Sequence, residues 1–161
     1  MSKSLNVNIV NPFLNAVIDV LTTMAQVVPT PGRPFLKESS QAIGDVTGII
    51  GLTGHDDKGS ISVTFTESCA LVIVSNLLGE EIKELTADVR DAVGELTNMI
   101  AGQARRGLDE VGHKYHAAIP TVVVGRKHTI EHHATGPILA IPFKTPHGDI
   151  TVEACFGELG V

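Results

Sequence analysis

Residues 86–112 read TADVRDAVGELTNMIAGQARRGLDEVG, and the fold turns on how this stretch is taken. Thr86 offers an N-cap, and Asp88 and Asp91 supply the negative charge that the first turns of a helix favour. Helical spacing of apolar residues then continues to about Gly112, which predicts one long helix. At about 100° per residue, Val89, Val93, Leu96, Ile100 and Ala104 gather on one side, while Asp91, Glu95, Asn98, Gly102 and Asp109 gather roughly opposite. The helix therefore has a core face and a displayed face.

Upstream, Glu67 to Leu78 is too densely apolar for an alternating strand, and Gly79 supplies a stop, so a short buried helix is predicted there. Before it, Ala42–Leu52 and Ile61–Phe65 flank His55-Asp56-Asp57-Lys58-Gly59 and read as a β-hairpin with one buried face. Asn11-Pro12 signals a helix start, and the helix runs to about Val28. Pro29, Pro31, Gly32 and Pro34 then break it and make a linker. Downstream of the long helix come a β-rich segment over Ala117–Val124 and a polar stretch with His128, His132 and His133. A second hairpin follows, pairing Ile138–Phe143 with Ile150–Phe156 across residues 146–149.

The chain has 161 residues, 43% of them hydrophobic and 19% charged, enough to bury a core in one domain. A net charge of −6, without a Lys/Arg tract, argues against nucleic acid as a ligand. No apolar run is long enough for a membrane span, and the N-terminus lacks the apolar core of a secretory signal, so the cytoplasm is the expected location. Cys69 and Cys155 lie far apart in apolar segments and read as reduced core residues.

Sliding the long helix back by seventy-six positions sets Asp91, Glu95 and Asn98 over Asn15, Asp19 and Thr22, and superposes the apolar positions as well. A hairpin follows in each half, which suggests a duplicated helix-plus-hairpin unit; any two amphipathic helices can also be slid into hydrophobic register. Glu95 and Asn98, three apart, can engage one partner group together, and Gly102 removes a side chain beside them. That combination suggests a docking surface.

The run Asp91-Ala-Val-Gly-Glu95-Leu-Thr-Asn98-Met-Ile-Ala-Gly102 resembles the signature helix of the CheC/CheX/FliY chemotaxis phosphatases: an acidic or Ser residue, three spacers, Glu, two spacers, Asn. The length, helix order and two hairpins are similar to that family over nearly the whole chain. The CheX branch is the nearest in pattern, because Asp19 and Thr22 stand where CheC-like members repeat the Glu and Asn. The resemblance implies an α/β (α+β) fold, CheC-like: one domain over residues 1–161 with pseudo-repeats at about 8–78 and 84–157, and a mixed sheet flanked by long helices.

It also implies a phosphatase acting on the aspartyl-phosphate of a CheY-like response regulator, with Glu95 and Asn98 catalytic and Asp91 and Gly102 in contact with the partner. No cofactor of its own is implied, since Mg²⁺ would be held by the regulator, and a homodimer is implied. Two other readings stand beside this one: a non-catalytic scaffold that binds a response regulator with the same helix, and a His-liganded zinc hydrolase. His128 and His132 have i, i+4 spacing, but no HExxH motif surrounds them and no cysteine is near in sequence. The expectation is instead a polar loop with solvent-facing imidazoles. Neither a GxSxG nor a P-loop occurs.

Overall fold

The computed structural model describes residues 7–55, 57–132 and 136–157. Helix α1 (Val7–Ala25) begins upstream of Asn11, so that Pro12 lies inside it and Asn11 does not cap it. The carbonyl that the Pro12 ring crowds belongs to Asn8, near the start of the helix, where an interrupted bond costs least. Its end also departs from expectation. Gln26 turns left-handed (φ 53°) and the Val27 N–H returns to the Leu21 carbonyl at 3.2 Å, which closes the helix before the proline cluster. Helix α2 (Glu67–Leu78) has the predicted bounds, with Gly79 left-handed at its C-cap. Helix α3 (Ala87–Glu110) follows Thr86, whose backbone is extended as an N-cap requires but whose hydroxyl makes no capping bond.

The proline-rich linker is partly strand: β1 (Thr30–Pro31) and β2 (Phe35–Lys37) both pair with β7 (Ile138–Thr145). The two predicted hairpins are β3 (Val46–Gly54) with β4 (Lys58–Phe65), and β7 with β8 (Gly148–Phe156). Asp56, in the first turn, lies outside the described residues. The β-rich segment divides into β5 (Tyr115–Ala117) and β6 (Thr121–Val124), both on β3. Pro120 separates them because it has no N–H to give a ladder.

Together these strands form one eight-stranded sheet in the order β1-β7-β8-β4-β3-β5, with β2 alongside β7 and β6 alongside β3. The α+β class stands, but every pairing among the described residues is antiparallel and the sheet is not mixed. The two hairpins meet edge to edge, Ile61 opposite Ala154 and Val63 opposite Val152, and no long crossover of the kind parallel strands need is used within the sheet.

One face of the sheet carries the apolar core. Ile61, Val63 and Phe65 of β4, Ile150, Val152, Ala154 and Phe156 of β8, and Leu139, Ile141 and Phe143 of β7 alternate onto it and are buried. Phe13, Val17 and Leu21 of α1 and Val93, Leu96 and Ile100 of α3 complete it. Full burial of each such large side chain stabilises by about 1.5–3 kcal/mol. Two glycines set how closely α3 is held. A Cβ on Gly48 would collide with the Thr97 hydroxyl, and one on Gly107 would stand 2.8 Å from Pro12 Cβ. The first contact seats α3 on β3, and the second packs α1 against α3.

The opposite face, expected to meet solvent along β4, is buried too. Ser60, Ser62 and Thr64 of β4 and Thr151 and Glu153 of β8 are all covered. Residues 38–43 and 125–132 pass over them, tied to each other by Ala42 N–H to His128 O and Ile130 N–H to Ser40 O, both 2.8 Å. His128 and His132 therefore do not face solvent as expected. A ring nitrogen of His128 lies 2.5 Å from Thr47 Oγ1, and the other lies 2.6 Å from the Gly125 carbonyl. His132 spans Ser60 Oγ at 2.6 Å and Glu153 Oε1 at 3.0 Å, while Lys37 Nζ donates to Glu153 Oε2 at 2.8 Å. His133 lies outside the described residues.

Candidate active site

The displayed face of α3 is where the sequence places it. Asp91, Glu95 and Asn98 are exposed, and the side chains of Glu95 and Asn98 make no hydrogen bond or ion pair to another described residue. Gly102 is half-buried by its surroundings, yet nothing lies within 4 Å of where its Cβ would stand. That open space lies one turn past Asn98, so an approaching surface meets no side chain there. All four sequence-predicted residues thus share one accessible stripe. The positions that the register equates with them on α1 behave differently: Asp19 Oδ2 accepts from Gln103 Nε2 of α3 at 2.7 Å.

Two features of the stripe went unread in the sequence. Ahead of Glu95 is a hollow between the end of α2 and the first turns of α3, with Leu77, Leu78 and Ala92 as an apolar base and Glu80, Asp88, Asp91 and Glu95 around it. Leu78 is 44% exposed, and nothing in the spacing of α2 distinguishes it from a core leucine. Beyond Gly102, Arg105, Arg106, Asp109, Lys114 and Tyr115 line a second hollow. Its sequence signal was available, because Arg105 and Arg106 fall seven and eight residues after Asn98 and so return to the same side of the helix.

Other reactive groups do not gather at this face. Cys69 and Cys155 are buried, and burial, as the largest influence, raises both thiols above their ordinary value, so little thiolate is present near neutrality. Among the described residues, no group of three or more His, Cys, Asp and Glu side chains could hold a metal ion. His128 and His132 take the i, i+4 spacing in a non-helical segment and turn to separate partners in the buried polar strip. No helix among the described residues is long and apolar enough to cross a membrane.

The sequence profile described as Chemotaxis phosphatase CheX matches residues 46–144, well over half of the chain and including all of α3. The chain belongs to the CheX family. The "CheY-P phosphatase CheX" of Thermotoga maritima is 30% identical over 139 residues, spanning 86% of this chain and 88% of that protein. A crystal structure of a chemotaxis protein CheX from Desulfovibrio desulfuricans is 50% identical, covers 92% of this chain and 98% of that one, and superposes with a TM-score of 0.86. A CheX–CheY–BeF3–Mg²⁺ complex from Borrelia burgdorferi contains a chain 28% identical, covering 95% of this chain and 100% of that one, at a TM-score of 0.80. As a CheX-family chain the protein is a chemotaxis phosphatase, and its α3 displays Glu95 and Asn98 with no partner among the described residues.

Proposed function

We propose that this chain hydrolyses the phosphoaspartate of a CheY-like response regulator, with Asn98 holding the attacking water and Glu95 fixing the docked register. The observation that carries the reading is the pair itself: a carboxylate and a carboxamide three residues apart on one long helix, both exposed and neither engaged with another described residue. An acyl phosphate is already reactive, so the task left to the phosphatase is to place water in line with the P–O bond. Water attacks phosphorus, the bond to the aspartyl oxygen breaks, the partner's carboxylate is restored and inorganic phosphate leaves. A neutral carboxamide suits this role, since it can orient water by donating or accepting without adding charge beside the phosphoryl oxygens.

Glu95 would pair with a lysine of the partner's phosphorylation site, and Asp91 and Gly102 would lie within the contact. Mg²⁺ would be contributed by the regulator and would neutralise charge on the phosphoryl group; the chain would need no cofactor of its own. The setting is two-component signalling in the cytoplasm, where such regulators work.

A charge-assisted hydrogen bond contributes about 1.5–3 kcal/mol. Glu95→Ala should therefore raise KM for the phosphorylated regulator by roughly tenfold to a hundredfold. Steady-state phosphate release checks this, and an unchanged KM and turnover would remove Glu95 from the contact.

We also infer a homodimer. Strands β5 and β6 pair only with β3 among the described residues, which leaves their outer edge open. Ile119 between them is 89% exposed and Val123 of β6 is 37% exposed. An open apolar edge of this kind is a ready site for pairing with a second copy. Light scattering should give the mass of two chains, and Ile119→Asp should shift it toward one; a monomer in both would sink this part of the reading.

A further inference from the structure

The hollow beyond Gly102 carries more than an extension of the docking stripe. Arg105 is anchored by Nη1, which donates to the Tyr115 carbonyl at 3.2 Å, while its Nε–H is buried with no partner among the described residues. Arg106 and Lys114 stand exposed at the same hollow, and Asp109 offsets one of the three positive charges. Cations are favoured in the last turn of a helix, but Arg105 and Arg106 precede that turn and Lys114 lies beyond it, so the helix dipole accounts for little of this charge. Nor does it account for the open space over Gly102 beside this cluster. On the other side of Asn98 the charge is reversed: Glu80, Asp88, Asp91 and Glu95 line the first hollow.

Resting on the phosphatase reading above, we propose that the hollow of Arg105, Arg106 and Lys114 receives an acidic side chain of the phosphorylated response regulator, one that flanks the phosphoaspartate. Guanidinium groups match a carboxylate in a fork, which a lone ammonium cannot do. With a cation of the partner drawn to the Glu95 side, the opposite charges on either side of Asn98 allow only one direction of docking along α3. This is selection by repulsion as well as attraction: a reversed partner would meet like charge at both hollows.

The test is steady-state phosphate release by Arg106→Glu/Lys114→Glu and by the neutral Arg106→Gln/Lys114→Gln, both at exposed positions, with folding checked by thermal unfolding. The reversal should raise KM at least about tenfold, the neutral pair by less, and both should weaken the dependence of KM on salt while kcat stays within about twofold. Unchanged KM and salt dependence in the folded variants would overturn the proposal. So would a fall in kcat alone, which would move these cations from docking into the chemistry.

Competitive inhibition by inorganic phosphate that vanishes in the reversed variant, with KM unmoved, would likewise overturn it in favour of a free-anion site. If the unmodified chain gives no acceleration, the phosphatase reading fails separately. The hollow is then judged by equilibrium binding of the phosphorylated regulator, where the reversal must still weaken affinity about tenfold, and unchanged affinity overturns it.

Discussion

Asn98→Ala should lower kcat for phosphoaspartate hydrolysis by about 10²–10³, the usual loss when one positioned group that acts in the transition state is removed. KM should move little, because the interactions assigned to binding belong to Glu95 and the flanking hollows. Folding should be nearly untouched: Asn98 is exposed, its side chain supports no other described residue, and alanine is the better helix former. The thermal midpoint should stay the same or rise slightly. This pattern, with turnover lost while stability and affinity are kept, is the signature of a residue that orients water; a structural role would lower all three. Asn98→Asp is a sharper variant. It retains shape and hydrogen-bonding reach but brings a negative charge toward phosphoryl oxygens, so its activity should also be poor, and recovery to near the parent rate would argue for a general base.

The second large effect concerns stability and lies on the far face of the sheet. Glu153→Gln should destabilise by about 3–5 kcal/mol, because it leaves the Lys37 ammonium in the interior without its counter-charge. For a chain of this size that corresponds to a drop on the order of 10 °C in the unfolding midpoint. Burial, the largest influence on Glu153, would raise its pKa, but the hydrogen bonds and charges of His132 and Lys37 outweigh burial and hold it below the ordinary value of 4.5.

A carboxyl group lowered in the folded state adds stability that is fully present above the unfolded value and is lost as pH falls through the folded value. The gap between parent and Glu153→Gln should therefore be widest near neutrality and close on acidification. Adding Lys37→Met to Glu153→Gln should recover part of the loss, since removing both charges avoids the uncompensated one. A midpoint within 2 °C of the parent at neutral pH, measured on Glu153→Gln alone, would show the pair to be incidental.

How much of this the sequence displayed depended on how local the signal was. Helix α2 came out with its bounds because a dense apolar run closed by Gly79 is a self-contained pattern. The stripe of Asp91, Glu95, Asn98 and Gly102 was equally legible, since helical periodicity alone brings those positions to one side. The start of α1 is not legible locally, because Asn11-Pro12 has the pattern of a first turn while Pro12 lies inside the helix. Its place depends on packing against Gly107, ninety-five positions away, and no local pattern encodes that contact.

Ser60, Ser62 and Thr64 alternate with Ile61, Val63 and Phe65 in the way an exposed face does. Their burial follows from two segments that cross the sheet, with Thr47 bonded to Thr64 and His132 to Ser60. His128 and His132 look solvated in the sequence for the same reason. Strands β1 and β2 escaped because prolines argue against a strand in isolation and are tolerated at an edge.

The most direct test of the central claim is phosphate release from a large excess of a phosphorylated CheY-like regulator, with this chain present in catalytic amounts beside its Asn98→Ala form. The account predicts many phosphates released per chain, at a rate proportional to chain concentration, and a return close to the regulator's own rate in the variant. Binding of the phosphorylated regulator with no acceleration by the unmodified chain would contradict it, and would leave α3 as a docking surface without chemistry.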